Sequence, residues 1–263
     1  MEGNYTINKG EVDMASWVTH LMIADNVLKE IPELDSHCFC VGNIAPDCNV
    51  ENDDWTQFTP SRETTHWMSA DKKISTDCDR FYNEYIENRK QKIKTSQELA
   101  FLLGYYSHLI VDAEFQSFIR DPQRVAATWE RIKKNPILSR ASENMPENWD
   151  SVKKLINKNE RMKDIYSIEA EYLEKKPNSG YLTEIIGLNS FPNYIDYLPE
   201  GAIVRKVNVM GYLPKKELGI YPFIAITKEE YSKFLCSVTN EVIRKIDEKS
   251  IFLNKKSSYA YDF

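Results

Sequence analysis

His108 and Asp112 stand four residues apart in the most apolar run of the chain, a spacing that places both on one face of a helix. Phe101, Tyr105 and Phe115 share that face, so it is expected to be buried. An ionised carboxylate in a core is costly unless it is paired or bound to a metal, and no lysine or arginine lies between Lys94 and Arg120. The pair therefore reads in two ways: as metal ligands, since imidazole and carboxylate both suit zinc, or as an Asp–His hydrogen bond serving packing. His20, one turn from Trp17 and Ala24, reads as a further ligand or as a satisfied core histidine. His66 sits early in an expected helix, as a site residue or a surface one. Asp47 follows Ala45-Pro46 in a loop, as a ligand or a turn aspartate. Of four histidines, three thus fall on apolar helical segments with an aspartate to match. Cys38-Phe39-Cys40 offers soft ligands, but five cysteines without CxxC spacing read as free, buried thiols.

The elements that must carry these residues are helices. Ser16 is expected to cap a helix through Ile31, with Trp17, Leu21, Ala24, Leu28 and Ile31 as its stripe and Pro32 ending it. A loop-rich stretch from Asp35 to Ser61 follows. A helix from about Arg62 carries Thr65-His66-Trp67, and another spans about Asp77 to Lys92. Thr95-Ser-Gln-Glu98 has the form of a capping box and opens the helix of His108, which Asp121-Pro122 closes. A shorter helix follows from Val125 to Lys134. Charged helices fill about 147–175. The Gly- and Pro-bearing region from Pro177 to Pro222 contains a β-like run, Ala202 to Met210, and Thr227-Lys-Glu-Glu230 is a second capping box opening a helix to about Lys249. The expected division is an extension at 1–13, a metal-binding helical core at 14–135, and a C-terminal helical elaboration at 136–263 within the same domain.

Composition narrows the function. The 263 residues carry 34 basic and 40 acidic side chains, a net charge of −6, which argues against wrapping a nucleic-acid backbone. The hydrophobic fraction of 42% with 12% aromatics sets aside disordered and fibrous classes. The longest apolar run, Ala100 to Val111, is followed by Asp112 and Glu114 and reads as a core helix rather than a membrane span. The first thirteen residues hold no apolar stretch, so a cytoplasmic protein without a secretory signal is expected, with translation starting at Met1 or Met14.

Four ordered motifs resemble the zinc-dependent phospholipase C family: Ser16-Trp-Val-Thr-His20-Leu-Met-Ile-Ala24, Gly42-Asn-Ile-Ala-Pro-Asp47, Thr65-His66-Trp67, and Leu103-Gly-Tyr-Tyr-Ser-His108-Leu-Ile-Val-Asp112. They cover residues 14 to about 122. The resemblance implies a mainly α, multi-helix domain similar to phospholipase C and P1-type nucleases, here with a C-terminal helical elaboration containing a short β-like segment. It implies a zinc site of Asp47, His66, His108 and Asp112, with His20 binding a second ion and Asp112 bridging. No histidine follows His108, so the histidine-rich third site of the secreted enzymes is absent, with Glu114 and Gln116 as weak substitutes, and one or two ions are expected.

The expectation is a metal-dependent hydrolase of phosphate esters, a phospholipase C-like phosphodiesterase in which Asp47 is both ligand and the base that orients water. Zinc is the expected cofactor, with iron or manganese allowed by the same ligands. Trp67, Tyr105 and Tyr106 read as pocket walls or as core aromatics, and Arg62, Lys72 and Lys73 as phosphate contacts or solvated charge. The expected partner is a small-molecule or lipid-like phosphoester, without nucleic acid and without stable membrane insertion. Alternatives are a zinc-stabilised helical binding protein without turnover and a metal hydrolase of non-phosphate substrates.

Overall fold

The computed structural model describes residues 14–54, 56–68 and 76–249, so the segment 1–13 and Lys72 and Lys73 lie outside the described residues. The fold is mainly helical, with one two-stranded sheet among the described residues. Helix α1 (Trp17–Glu30) begins where Ser16 Oγ accepts from the Thr19 amide at 3.2 Å. It is buried on nearly every side from Trp17 to Ala24, as suits a helix at the centre of a bundle.

The stretch expected to be loop-rich contains a helix instead, α2 (Ser36–Gly42), capped by Asp35 Oδ1 at the Cys38 amide. Its sequence is short and holds two cysteines, so local propensity gave little helical signal; packing on α5 (Ser96–Arg120) decides it. The two backbones meet at Gly42 and Gly104. A Cβ on Gly104 would lie 2.2 Å from the Phe39 carbonyl oxygen, and one on Gly42 2.2 Å from that of Phe101, so no side chain fits at this crossing. A 3-10 turn, Ala45–Asp47, follows, then β1 (Val50–Glu51) paired antiparallel with β2 (Phe58–Thr59), Val50 opposite Thr59.

Helix α3 (Arg62–Thr65) is a single turn with His66 at its C-terminal end and Trp67 in the left-handed region at φ 53°, not the helix expected to run through His66. Helix α4 (Cys78–Phe81) continues as a π-helical turn, Tyr82–Glu87. Thr95 Oγ1 caps α5 at the Glu98 amide, while the Glu98 carboxylate turns back to the Lys94 amide. Next come α6 (Pro122–Lys134), α7 (Pro136–Ala141), α8 (Trp149–Leu155), α9 (Lys158–Lys175), a π-helical turn at Tyr181–Ile185, α10 (Ala202–Met210) and α11 (Lys228–Glu248), the last with the full capping box of Thr227 and Glu230.

The β-like run is therefore corrected: Ala202–Met210 is helical. Its valines and isoleucine favour strand in isolation, but the buried residues are Ala202, Ile203, Lys206 and Val207, a helical spacing. Lys206 is the reason the run misleads. Its ammonium is buried against Glu51 Oε2 at 2.7 Å, and Arg205 holds the other oxygen at 2.8 Å. One hydrophobic core extends from Ala15 to Ile246, with α1, α5 and α11 packed on one another and α2 on α5. Among the described residues no helix is long and apolar enough to cross a membrane.

Candidate metal centre

Five side chains from four segments converge beside the α2–α5 crossing. Helix α5 presents His108 and Asp112, α1 presents His20, the 3-10 turn presents Asp47, and the end of α3 presents His66. His108 Nε2 lies 3.2 Å from Asp112 Oδ2, His66 Nε2 3.5 Å from the same oxygen and 3.2 Å from Asp47 Oδ1, and His20 Nε2 3.4 Å from Asp112 Oδ1. The His20 and His108 rings stack in parallel, centroids 3.9 Å apart.

The second ring of contacts fixes which nitrogen faces inward. His108 Nδ1 donates to the Asn43 carbonyl at 2.7 Å, a contact that exists because the bare Gly42–Gly104 crossing brings the end of α2 onto α5. His66 Nδ1 donates to Thr65 Oγ1 at 2.9 Å, and that hydroxyl continues to the Arg62 carbonyl at 3.3 Å. These bonds leave both Nε2 atoms as acceptors aimed at the carboxylates, the arrangement that orients metal-ligating histidines. Trp17 Nε1 donates to Asp47 Oδ2 at 3.0 Å.

Most of the deeply buried atoms of the cluster have no hydrogen-bond partner among the described residues. His108 Nε2, both His20 nitrogens and both Asp112 carboxylate oxygens are buried and unpaired, although polar atoms that deep are nearly always satisfied. Their separations of 3.2–3.5 Å match the edge of a tetrahedron whose corners lie about 2.0–2.1 Å from a central zinc, roughly 3.3 Å. Two donor groups result, His20, His108 and Asp112, and Asp47, His66 and His108, so His108 belongs to both. The donor set fits zinc.

Electrostatics favours acceptors as well. Burial would raise Asp112, but the neighbouring imidazoles of His108 and then His20 outweigh it and hold the carboxyl well below its ordinary range. Asp47 is likewise held low against burial, by His66, His108 and Arg62. Burial pushes His20 down to about 4, helped by His108, and lowers His66, helped by Arg62. His108 alone is raised, because the Asp112 carboxylate overcomes its desolvation.

The cluster opens on one edge. His20, His66, His108 and Asp112 are almost wholly buried, whereas Asp47 is 20% exposed and Arg62 40%. Arg62 Nη2 stands 3.3 Å from His66 Nε2, and Nη1 4.0 Å from Asp47 Oδ1. Arg62 is thus beside the cluster rather than on a remote solvated face.

Trp67, Tyr105 and Tyr106 do not wall an open pocket; they are core residues. Tyr106 packs on Tyr82, and Tyr105 stacks on Phe81. Trp67 Nε1 donates to the Tyr197 hydroxyl, which donates to that of Tyr105, which donates to the Thr65 carbonyl just before His66. Two of the three therefore brace a candidate ligand. Glu114 is exposed with Glu241 and Lys245 as its charged neighbours, and Gln116 is engaged by Arg120, so neither replaces a third-site histidine. His37 lies apart, paired with Glu184 at 2.9 Å. Cysteine joins neither donor group among the described residues; burial holds Cys40 well above the ordinary thiol range and pushes Cys38 up to about 12.

Sequence reasoning missed Asn43, Thr65, Trp17 and Tyr197 as supports. Asn43 and Thr65 stood inside motifs already singled out, but Asn43 acts through its carbonyl, which every residue has. Tyr197 reaches the site from far along the chain, and nothing local marks it.

The profile of a family described as zinc dependent phospholipase C matches residues 19–114, and over this stretch, which contains all five converging side chains, the chain is similar to that family. Neither the curated proteins nor the solved structures yield a match to this chain.

Proposed function

We propose that the chain is a metal-dependent hydrolase of phosphate esters, a phospholipase C-like phosphodiesterase that holds one or two zinc ions on His20, Asp47, His66, His108 and Asp112. The observation that carries this reading is the set of buried, unpaired acceptor atoms of His20, His108 and Asp112 at tetrahedral-edge spacing. When bound, zinc supplies Lewis acidity that makes water nucleophilic near neutral pH and relieves negative charge on a phosphoryl oxygen.

The protein's own groups divide the remaining work. Asp47 lies at the open edge with Oδ2 steered by Trp17 and Oδ1 beside His66, so it can orient an entering water and take its proton. Arg62, half-exposed above Asp47 and His66, is placed to meet an anionic phosphoester oxygen. The Asn43 carbonyl and the Thr65 hydroxyl keep the imidazoles turned inward.

A second reading, a zinc-stabilised binding protein without turnover, is favoured by one observation: Glu114 and Gln116 leave the third histidine-rich site unreplaced. Elemental analysis of protein purified without added metal, with turnover of a soluble aryl phosphodiester, separates the two. Near one or two zinc per chain with turnover, both lost in His108→Ala, supports the hydrolase. Zinc without turnover of any phosphate ester points to the structural role, and metal-free, folded wild type with no zinc uptake overturns both.

A further inference from the structure

Large hydrophobic side chains exposed to solvent are few among the described residues, and they are not scattered. Val209, Tyr212, Leu213, Leu218 and Ile220, 45–72% exposed, all lie in one twelve-residue stretch; Ile137 stands apart from them. Isolated exposed apolar residues are ordinary, whereas a cluster marks a contact surface.

The cluster is built rather than loose. From Gly211 to Gly219 the backbone is irregular, yet both ends are tied down. Tyr181 donates its hydroxyl to the Tyr212 carbonyl at 2.7 Å. At the other end the buried Asp164 accepts from the Gly219 and Phe223 amides, and Glu160 from that of Ile220 at 2.6 Å. Gly219 passes so close to α9 that a Cβ there would meet the Glu160 carbonyl oxygen at 2.5 Å. The tethered loop does not fold its apolar side chains onto α9, and a cleft of about 390 Å³ remains between Tyr212, Leu213 and the helix residues Lys163 and Tyr166.

We infer that residues 209–221 form a docking surface for a zwitterionic phospholipid bilayer. Three observations choose this occupant. A stable contact with a second copy takes roughly 20–30 residues a side, well beyond a twelve-residue loop. The loop pairs aliphatic tips with Tyr212 and Tyr221, the aromatic type that settles at a membrane–water boundary. Of its three charges, Lys216 pairs with Glu174 at 3.0 Å and Glu217 with Lys163 at 3.1 Å, which leaves Lys215 as a single cation on a chain of net charge −6. One cation falls short of the basic cluster that coulombic binding to anionic lipid needs, so apolar insertion is the driving force. The contact stands on the loop itself; a role in delivering lipid to the metal cluster would rest on the hydrolase reading.

The test is cosedimentation of the full chain with phosphatidylcholine vesicles at low and high salt. Wild type binds with little salt dependence, Leu213→Asp/Ile220→Asp lowers the partition coefficient at least about tenfold, and Ile137→Asp leaves it unchanged. Unchanged circular dichroism and melting in all variants show that folding is intact. The inference is overturned if wild type stays in the supernatant, or if the double variant binds equally. It is also overturned if binding needs anionic lipid and vanishes in high salt, or if the double variant abolishes a dimer seen in sedimentation equilibrium. Vesicle binding without hydrolysis of any phosphate ester sustains this surface and counts against the hydrolase reading alone.

Discussion

Replacing Glu169 by glutamine should stabilise the protein, and only above a definite pH. Glu169 projects from α9 into a buried polar knot at the start of α1. Its Oε1 accepts from Ser16 and, at 2.6 Å, from Thr19 Oγ1, whose own oxygen meets the Tyr231 hydroxyl. Among the described residues Oε2 is buried with no partner and no cation pairs with the carboxyl. Burial pushes Glu169 up from 4.5 to about 7, against the two hydroxyl donors. Between those values the folded chain keeps a proton that the unfolded chain has released. Stability therefore falls as pH rises from 4.5 to about 7 and stays reduced above it. At ~1.36 kcal/mol per pH unit that interval amounts to ~3 kcal/mol.

Glu169→Gln keeps the acceptor for Ser16 and Thr19 and removes the charge. Urea unfolding of both proteins at matched metal content should give equal stability near pH 4.5, an advantage for the variant that grows through pH 6, and a plateau of ~3 kcal/mol by pH 8. In thermal melts the plateau corresponds to roughly 6–12 °C for a chain of this size. Groups elsewhere titrate in both proteins and cancel in the difference. A difference independent of pH, or a variant less stable than wild type at pH 8, would refute the reasoning: the carboxylate would then be ionised and satisfied by its hydroxyl donors.

Three further outcomes follow from other parts of the fold. Gly104→Ala puts a Cβ 2.2 Å from the Phe39 carbonyl oxygen and should lose about 3 kcal/mol or more in denaturant melts, with zinc retention falling because Asn43 shifts with α2. Lys206→Met leaves the Glu51 carboxylate, 2% exposed, with Arg205 as its remaining partner and should lose ~3 kcal/mol; no change in melting temperature would show the pair to be solvated. Zinc affinity, followed by competition with a chromophoric chelator, should weaken on acidification beginning above the ordinary histidine value of 6.5, since His108 is raised by Asp112 and must shed its proton to ligate. An affinity flat to well below that value would remove His108 from the ligand set.

The helices that carry the donors were legible because their ends are written in side chains: Ser16, Thr95 and Thr227 each cap where expected and Asp121 closes α5, although α6 begins at Pro122 rather than Val125. The convergence of His20, Asp47, His66, His108 and Asp112 was legible only through ordered motifs, since no spacing rule joins residues from four segments. What stayed hidden was decided by tertiary contact. Helix α2 exists because glycines let it lie against α5, and α10 is a helix because a lysine in a β-branched run finds Glu51 inside the protein. Trp67 and Tyr105 looked equally able to line a pocket or fill a core; a hydrogen-bond chain through Tyr197 settles it, and that partner is not visible from either residue.

The cluster is also hard to explain as packing. The Asp112 and Asp47 carboxyls are held low by the imidazoles around them, burial lowers His20 and His66, and His108 alone is raised, by Asp112. A packing cluster would gain from apolar replacements of similar volume, which are often neutral or stabilising relative to buried charge. Instead the surrounding structure spends its strongest constraints here: the glycine crossing that delivers the Asn43 carbonyl, the tyrosine chain that fixes Thr65, and Trp17 steering Asp47. The first two orient His108 and His66 through their Nδ1 atoms and leave His108 Nε2 without a hydrogen bond, while Trp17 holds one Asp47 oxygen and leaves the other beside His66. The more exposed side, with Asp47 and Arg62, carries one proton acceptor and one cation. That is the division expected of a site in which the buried donors hold a divalent ion and the rim handles water and an anionic substrate.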